Sequence, residues 1–171
     1  MSRKYLNDRW CVRCPKIDPS PYLAKNAKFL KGKTKELAVD VGCGNGRNSE
    51  FLKLKGFRKV KSVDMIPDYC CGEKAVLGTD PLPAEDKSVG VILCNYLMMF
   101  LNKKERKQLI REFKRVAAED CIIILELYPA LDSFAKTKEA MLEMQKDIFD
   151  SLGWKKIRYS QARFIAQNTS K

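Results

Sequence analysis

Histidine is missing from this 171-residue sequence, and so is any long run of apolar residues. A membrane-spanning helix needs about 20 consecutive apolar residues, and no stretch of the chain approaches that length. The first eight residues also lack the apolar segment of a secretory signal peptide. These absences predict a cytoplasmic protein with no membrane partner.

The lack of histidine also weighs against a zinc site. Seven cysteines are present, at positions 11, 14, 43, 70, 71, 94 and 121. The pairs Cys11/Cys14 and Cys70/Cys71 could be imagined as four ligands, but two adjacent cysteines are poor partners in a tetrahedral site. The other three lie in or beside predicted buried strands, where cysteine behaves as a small apolar residue. The sequence therefore predicts free thiols, no disulfides and no metal.

Acidic residues are few compared with basic ones. The chain has 21 Asp and Glu against 33 Lys and Arg, which gives a formal net charge of +12. Such an excess favours acidic partners such as nucleic acid. The basic residues are spread along the chain, however, which is equally typical of a solvated lysine-rich surface. Both interpretations stay open.

What the sequence does contain is an alternation of apolar strands and amphipathic helices. Strands are predicted at 37–41, 60–63, 75–77, 88–94 and 121–127, and helices at 21–31, 48–54, 103–118 and 134–152. This alternation predicts a parallel sheet wrapped by helices. Two closing strands, 156–159 and 163–166, are expected to form a hairpin that adds one antiparallel strand. The expected fold is one α/β domain, a three-layer sandwich with a Rossmann-like, mostly parallel sheet.

Some details of the helices are also predicted. In the helix over 48–54, residues 51, 52 and 54 are expected to face the core, and Gly153 is expected to end the helix over 134–152. Only about a dozen residues separate Asp64 from the apolar run at 75–77, which leaves little room for a crossover helix between those strands.

The segment AVDVGCGNG, residues 38–46, places three glycines directly after the first strand. In a parallel α/β sheet, ligands bind outside the carboxyl ends of the strands, and glycines there let the backbone approach the ligand. A dinucleotide loop spaces its glycines G-x-G-x-x-G, whereas one residue separates Gly44 from Gly46. The carboxylate of Asp40 is awkward beside a pyrophosphate and suits a cation. The loop therefore favours S-adenosylmethionine, which carries an ammonium and a sulfonium, over a dinucleotide.

The segment LAVDVGCGNGR, residues 37–47, resembles the glycine-rich motif of the class I S-adenosylmethionine-dependent methyltransferases. The resemblance covers roughly residues 36–168 and implies S-adenosylmethionine as the cofactor. It implies that Asp64, which ends VKSVD, accepts hydrogen bonds from both ribose hydroxyls. Other donor-binding residues implied around the first two strands are Asp40, Gly42, Cys43, Gly44, Asn45, Gly46 and Met65.

The segment LPAEDKSVGVILCNYLMMFL, residues 82–101, resembles the fourth-strand segment of the same family. The match implies that Asp80, Pro81 and Leu82 line the adenine, and that Asn95 and Tyr96 follow the strand on the donor's methionine side. Two departures stand out. Gly78 takes the place of the aspartate with which many relatives contact adenine, and residues 98–100 replace histidines found in many small-molecule members.

Methyl transfer from a sulfonium is an in-line displacement with a good leaving group, so positioning supplies much of the catalysis and a general base is optional. Tyr96, Glu126 and Tyr128, at the ends of the fourth and fifth strands, are candidate catalytic residues. The lead-in over residues 1–20 is expected either to fold over the pocket as a lid or to pack on the sheet edge. As a lid it would bring Trp10, Arg13 or Lys16 near the pocket.

Three functions remain open at this point. Methylation of a small molecule is favoured, because the basic face of the helix over 103–118 points away from the strand ends. A nucleic acid methyltransferase would instead need positive charge around the pocket mouth, where Arg13, Lys16, Arg47, Lys103 and Lys104 are expected. The third function is donor binding without turnover.

Overall fold

The computed structural model describes residues 18–66, 72–127, 138–160 and 162–169. The strands are β1 Leu37–Val41, β2 Lys59–Asp64, β3 Glu73–Lys74, β4 Val89–Asn95, β5 Ala117–Glu126, β6 Lys155–Ser160 and β7 Arg163–Gln167. The α-helices are α1 Pro21–Asn26, α2 Arg47–Leu54, α3 Lys103–Val116 and α4 Lys138–Leu152, with 3₁₀ turns at Ala27–Leu30 and Met98–Phe100. None of these helices is long and apolar enough to cross a membrane.

All seven strands form one sheet in the order β3-β2-β1-β4-β5-β7-β6. The pairs among β1 to β5 are parallel, and β7 runs antiparallel to both β5 and β6. This is the predicted mostly parallel Rossmann-like sheet with one antiparallel strand supplied by the closing hairpin.

Helices cover both faces of the sheet, which gives the predicted three layers. Along β5, Ile123 and Leu125 pack in the cluster that contains the apolar residues of α3 and α4. Ile122 and Ile124, which point the other way, pack with residues of α1 and α2. Every residue of β4 is buried, as its almost unbroken apolar sequence predicts. Cys43, Cys94 and Cys121 are buried free thiols, as expected.

Several predicted boundaries were wrong. The third strand is Glu73–Lys74, because the chain pairs with β2 before the apolar run at 75–77 begins. Helix α3 ends at Val116 and β5 follows at once, so the strand starts four residues earlier than predicted. Leu54 is 83% exposed, because two residues beyond the buried Leu52 a helix has turned by about 200°. The predicted start of the helix over 134–152 lies outside the described residues, and Gly153 follows its end with φ +68°.

The order of the strands determines where a ligand can bind. The chain passes from β1 to β2 on one side and returns to β4 on the other side of β1, so the strand order reverses between β1 and β4. In open α/β sheets, the crevice at the carboxyl ends of such strands is where ligands bind. Two segments meet there: the loop over 42–46 after β1, and residues 95–97 at the end of β4.

Candidate functional site

The glycine loop over 42–46 is anchored to the end of β2. The backbone N–H groups of Gly42 and Cys43 donate to the carbonyl oxygen of Val63 at 2.8 and 3.2 Å. The N–H of Gly44 donates to the Asp64 carboxylate at 2.9 Å. The loop therefore has a fixed path that ends beside an acidic side chain.

Two glycines of this loop serve different purposes, although both have positive φ. At Gly42, with φ +74°, an added Cβ would lie 3.0 Å from the side chain of Leu97, so close packing requires glycine. At Gly44, with φ +53°, an added Cβ would meet no atom of the described residues within 4 Å. Gly44 therefore presents bare backbone to open space, which is what close approach of a ligand requires.

The loop leads directly into helix α2. Gly46, with φ +78°, occupies the N-cap position, and the Asn45 side chain accepts a hydrogen bond from the N–H of Arg47 at 3.4 Å. The positive end of the helix dipole thus lies at the crevice.

Asp40 lies behind the loop. Its carboxylate is buried and accepts a hydrogen bond from the Ser49 hydroxyl of α2 at 2.6 Å. The carboxylate is directed to Ser49 and is almost wholly covered, and the role of Asp40 beside a cationic ligand stays a prediction. Burial raises its pKa from the usual 3.8 to about 6, partly offset by the hydrogen bonds from Ser49.

The raised pKa of Asp40 predicts a pH-dependent loss of stability. Between about pH 4 and pH 6 the carboxyl ionises in the unfolded chain but stays protonated in the folded one, so its contribution to the free energy of unfolding falls as pH rises and then levels off. Relative to Asp40→Asn, the wild-type protein should lose about 2–3 kcal/mol from pH 4 to pH 7. Urea unfolding at the two pH values measures this difference, and a constant difference would contradict the assignment.

Asp64 is the acidic side chain at the open side of the loop. Its two carboxylate oxygens accept hydrogen bonds from the N–H groups of Gly44 at 2.9 Å and Ile66 at 3.0 Å. The side chain stays partly exposed, and the neighbouring Met65 is exposed. Each carboxylate oxygen can accept a second hydrogen bond, so the arrangement fits a ribose that donates two hydroxyls.

Asp80 and Leu82, both predicted to line the adenine, lie in different parts of the structure. Asp80 lies near the carboxyl edge, where its carboxylate accepts the N–H of Val76 at 2.8 Å and closes a turn. Leu82 does not lie there. Its N–H donates to Glu112 at 2.8 Å and its carbonyl accepts from Arg115 at 3.0 Å, both in the last turns of α3.

Helix α3 leads into the first residue of β5, so its last turns lie at the amino edge of the sheet. The prediction that Leu82 lines the adenine at the crevice was therefore wrong, because the chain after Asp80 runs along α3 toward the amino edge. Pro81 is bonded to Asp80 at the start of this stretch, and its contact with adenine stays a prediction. Pro81 and Leu82 both line a cleft of about 420 Å³, together with Lys61 and Arg115. Gly78 packs at the opposite end of α3, where an added Cβ would lie 2.9 Å from the backbone oxygen of Glu105.

A buried carboxylate collects three hydrogen-bond donors and a guanidinium at the carboxyl ends of β4 and β5, beside the start of β7. Glu126 is fully buried. It accepts from the hydroxyl of Ser20, the side-chain amide of Asn95 and the phenol of Tyr96, the last at 2.9 Å. The guanidinium of Arg163 lies 3.4 Å away. We call Glu126 and these four partners the Glu126 cluster.

Tyr96 is held in this cluster by two hydrogen bonds to one residue. Its N–H donates to the backbone oxygen of Glu126 at 2.8 Å and its phenol donates to the carboxylate. Its φ of +60° is uncommon for a residue with a side chain, and such strain concentrates at functional sites. Burial, followed by the negative charge of Glu126, raises the pKa of the phenol to about 12.

Sequence reasoning missed two residues that build this region, Ser20 and Arg163. Ser20 caps α1, where its hydroxyl oxygen accepts from the N–H of Leu23 at 3.3 Å. Its own N–H donates to the side-chain oxygen of Asn48 in α2 at 2.8 Å. Arg163 lies 5.5 Å from the ring centroid of Tyr22. The serine before Pro21 is a recognisable N-cap signal, but its contact with a residue 106 positions away is not readable from local sequence.

Other predicted residues are placed only in part. Tyr128, Trp10, Arg13 and Lys16 lie outside the described residues. Lys103 and Lys104 are exposed in the first turn of α3, and Arg47 is partly exposed at the start of α2. The structure thus brings Gly44 and Asp64 together on one side of the crevice, and Asn95, Tyr96 and Glu126 together on the other.

Comparison with known families decides what this arrangement belongs to. The family described as a methyltransferase domain matches residues 39–125, just over half of the chain. The chain belongs to this family. It is a class I S-adenosylmethionine-dependent methyltransferase, and S-adenosylmethionine is its methyl donor. No curated protein matches the sequence.

Solved structures share the fold of this methyltransferase. A SAM-dependent methyltransferase from Aquifex aeolicus is 16% identical, with 98% of this chain and 97% of that chain covered and a TM-score of 0.67. Another, from Methanosarcina mazei, is also 16% identical, with 91% and 100% covered and a TM-score of 0.67. One from Archaeoglobus fulgidus is 18% identical, with 78% and 66% covered and a TM-score of 0.63. At these identities the similarity concerns the fold.

Proposed function

We propose that the methyltransferase acts on a low-molecular-weight acceptor that binds beside the Glu126 cluster. The observation that carries this proposal is the burial of the polar groups at the ends of β4 and β5: Glu126 is 0% exposed and Asn95 is 7% exposed. Ser20 ties the segment before α1 across this end of the sheet. A covered polar site of this kind suits a small molecule better than a polymer.

The donor supplies a methyl group on a sulfonium, and the residues of the chain supply the positioning. Asp64 would accept the ribose hydroxyls, and the bare backbone at Gly44 would let the donor pass close to the loop. Tyr96 and Asn95, held rigidly by Glu126, would form the wall at which the acceptor is oriented for in-line attack. Holding the reacting atoms at near-attack distance accounts for much of the rate enhancement in such a displacement.

Nucleic acid is the second candidate acceptor, because the net charge is +12. The exposed basic residues of α3 extend along the whole helix and are Lys103, Lys104, Lys107, Arg111 and Lys114. Only the first turn of α3 begins near the carboxyl ends of the strands, so most of this charge lies away from the crevice. This distribution of basic residues along α3 is typical of a solvated surface.

Methyl transfer to total RNA, to DNA and to a small-molecule extract, each at two salt concentrations, distinguishes the candidates. We expect transfer to the small-molecule fraction, with little dependence on salt. The double variant Lys103→Glu/Lys104→Glu should change the rate by less than about twofold, as should Arg111→Glu/Lys114→Glu further along the helix. Transfer to polymer that falls steeply with salt and is lost only in the first variant would contradict the proposal.

A further inference from the structure

The side-chain amide of Asn95 has a bonded nitrogen and an oxygen that lacks a partner among the described residues. Its Nδ2 donates to Glu126, whereas its buried Oδ1 has no hydrogen-bond partner among the described residues. The oxygen and nitrogen of an amide point in different directions, so Oδ1 is turned away from the carboxylate. A buried carbonyl oxygen without a donor is unfavourable. At Asn95 this oxygen belongs to the last residue of β4, beside the crevice, where a ligand could donate the missing hydrogen bond.

The orientation of this amide is set by the Glu126 cluster. Exchanging the oxygen and nitrogen of Asn95 would place Oδ1 against the Glu126 carboxylate, so that two acceptors faced each other. The carboxylate itself is held by Ser20, Tyr96 and Arg163. Glu126 is thus a positioning residue that keeps Oδ1 of Asn95 available to a donor.

The chemistry of the cluster restricts what the ligand can be. A group that binds Oδ1 must carry an N–H or O–H, which excludes carboxylates, fully ionised phosphates and thioethers. A hydroxyl nucleophile would also need a base. Glu126 already accepts from several donors, and the phenol of Tyr96 donates to it and has a pKa raised to about 12. A neutral amine needs no such base, because its nitrogen lone pair is nucleophilic enough to attack before the N–H proton is lost, whereas a neutral hydroxyl is a weak nucleophile.

We propose that the methyl acceptor is an amine whose N–H donates to Oδ1 of Asn95. This inference rests on the proposed small-molecule function. The lone pair of the amine nitrogen forms the new N–C bond, the C–S bond of the donor breaks with its electron pair remaining on sulfur, and the resulting ammonium releases its proton to water. The donor's own α-amino group offers the same N–H chemistry, so the experiment must separate the two sources.

The first test changes the acceptor and leaves the protein untouched. A small-molecule extract is divided into an untreated portion, one treated with acetic anhydride to acetylate amines, and one treated with iodoacetamide to block thiols. Transfer of labelled methyl groups should fall at least about tenfold after acetylation, since an amide nitrogen is a poor nucleophile, and should persist after thiol blocking. Undiminished transfer to the acetylated extract would overturn the amine inference and leave the proposed small-molecule function standing. No transfer to the untreated extract would overturn the proposed function and this inference with it.

The second test changes Asn95. In Asn95→Leu, transfer to the untreated extract should fall about tenfold, while the Kd for S-adenosylhomocysteine changes less than about twofold. Asn26→Leu is a matched control, because Asn26 is also buried, also bonded through Nδ2 and also lacks a partner for Oδ1 among the described residues. It should leave both quantities near wild type. A tenfold weaker Kd in Asn95→Leu would assign Oδ1 to the donor's amino group instead and overturn the inference. If that variant does not fold, the acetylation test decides.

Discussion

Replacing Gly44 with valine is expected to abolish binding of S-adenosylhomocysteine while leaving the fold intact. A Cβ added at Gly44 meets no atom of the described residues within 4 Å, so it does not disturb their packing. It would instead occupy the space that the donor needs beside the backbone. The φ of +53° adds a strain of about 1–2 kcal/mol, which a folded domain can tolerate. Isothermal titration calorimetry measures binding, and a thermal melt confirms folding.

Gly32→Val is the matched control for this experiment. Gly32 has φ +88°, and an added Cβ there also meets nothing within 4 Å. It lies in the turn that precedes β1, at the amino edge of the sheet, so its replacement also forces a side chain into the positive-φ region without approaching the crevice. The control should bind S-adenosylhomocysteine like the wild type. Equal affinities for Gly44→Val and the wild type would mean that the loop glycines serve only the turn.

Asp64→Ala is expected to weaken S-adenosylhomocysteine binding by about 1.5–3 kcal/mol through the loss of charge-assisted hydrogen bonds to the ribose. The variant also removes the acceptor of the Gly44 N–H, so the loop loses one of its anchors. Calorimetry at constant ionic strength measures the change in Kd. We expect the enthalpy of binding to become less favourable in parallel.

Asp86→Ala separates this effect from a general change of charge. Asp86 is an exposed carboxylate that pairs with Arg115 near the amino edge, so its removal makes the same change in net charge far from the crevice. Its Kd should stay within about twofold of wild type, since exposed ion pairs contribute little. Tight binding by Asp64→Ala would remove Asp64 from the donor site.

The fold could be predicted from the sequence where the pattern of residues is local and strong. The apolar run of β4 and the apolar stripe of α3 are examples, because burial follows directly from their periodicity. Boundaries were less predictable. The strand β3 has two exposed residues, Glu73 and Lys74, and is specified by pairing with β2 rather than by its own composition.

The residues of the candidate site were also predictable only where the sequence pattern is local. Gly44 and Asp64 could be identified from the spacing of a motif around two strand ends. In the structure the Gly44 N–H donates to the Asp64 carboxylate, with 2.9 Å between nitrogen and oxygen. Leu82 was misplaced because its position depends on hydrogen bonds to α3, about 30 residues further along the chain. The contact between Ser20 and Glu126 depends on the tertiary fold alone, so no local pattern could have predicted it.

The most direct test of the account is a crystal structure of the protein with S-adenosylhomocysteine. We expect the ribose hydroxyls to donate to Asp64, the ligand to cross the backbone of Gly44, and its sulfur to face the side of the crevice formed by Asn95 and Tyr96. A ligand bound without contact to Asp64 or Gly44, for example in the cleft between Lys61 and Arg115, would contradict this expectation.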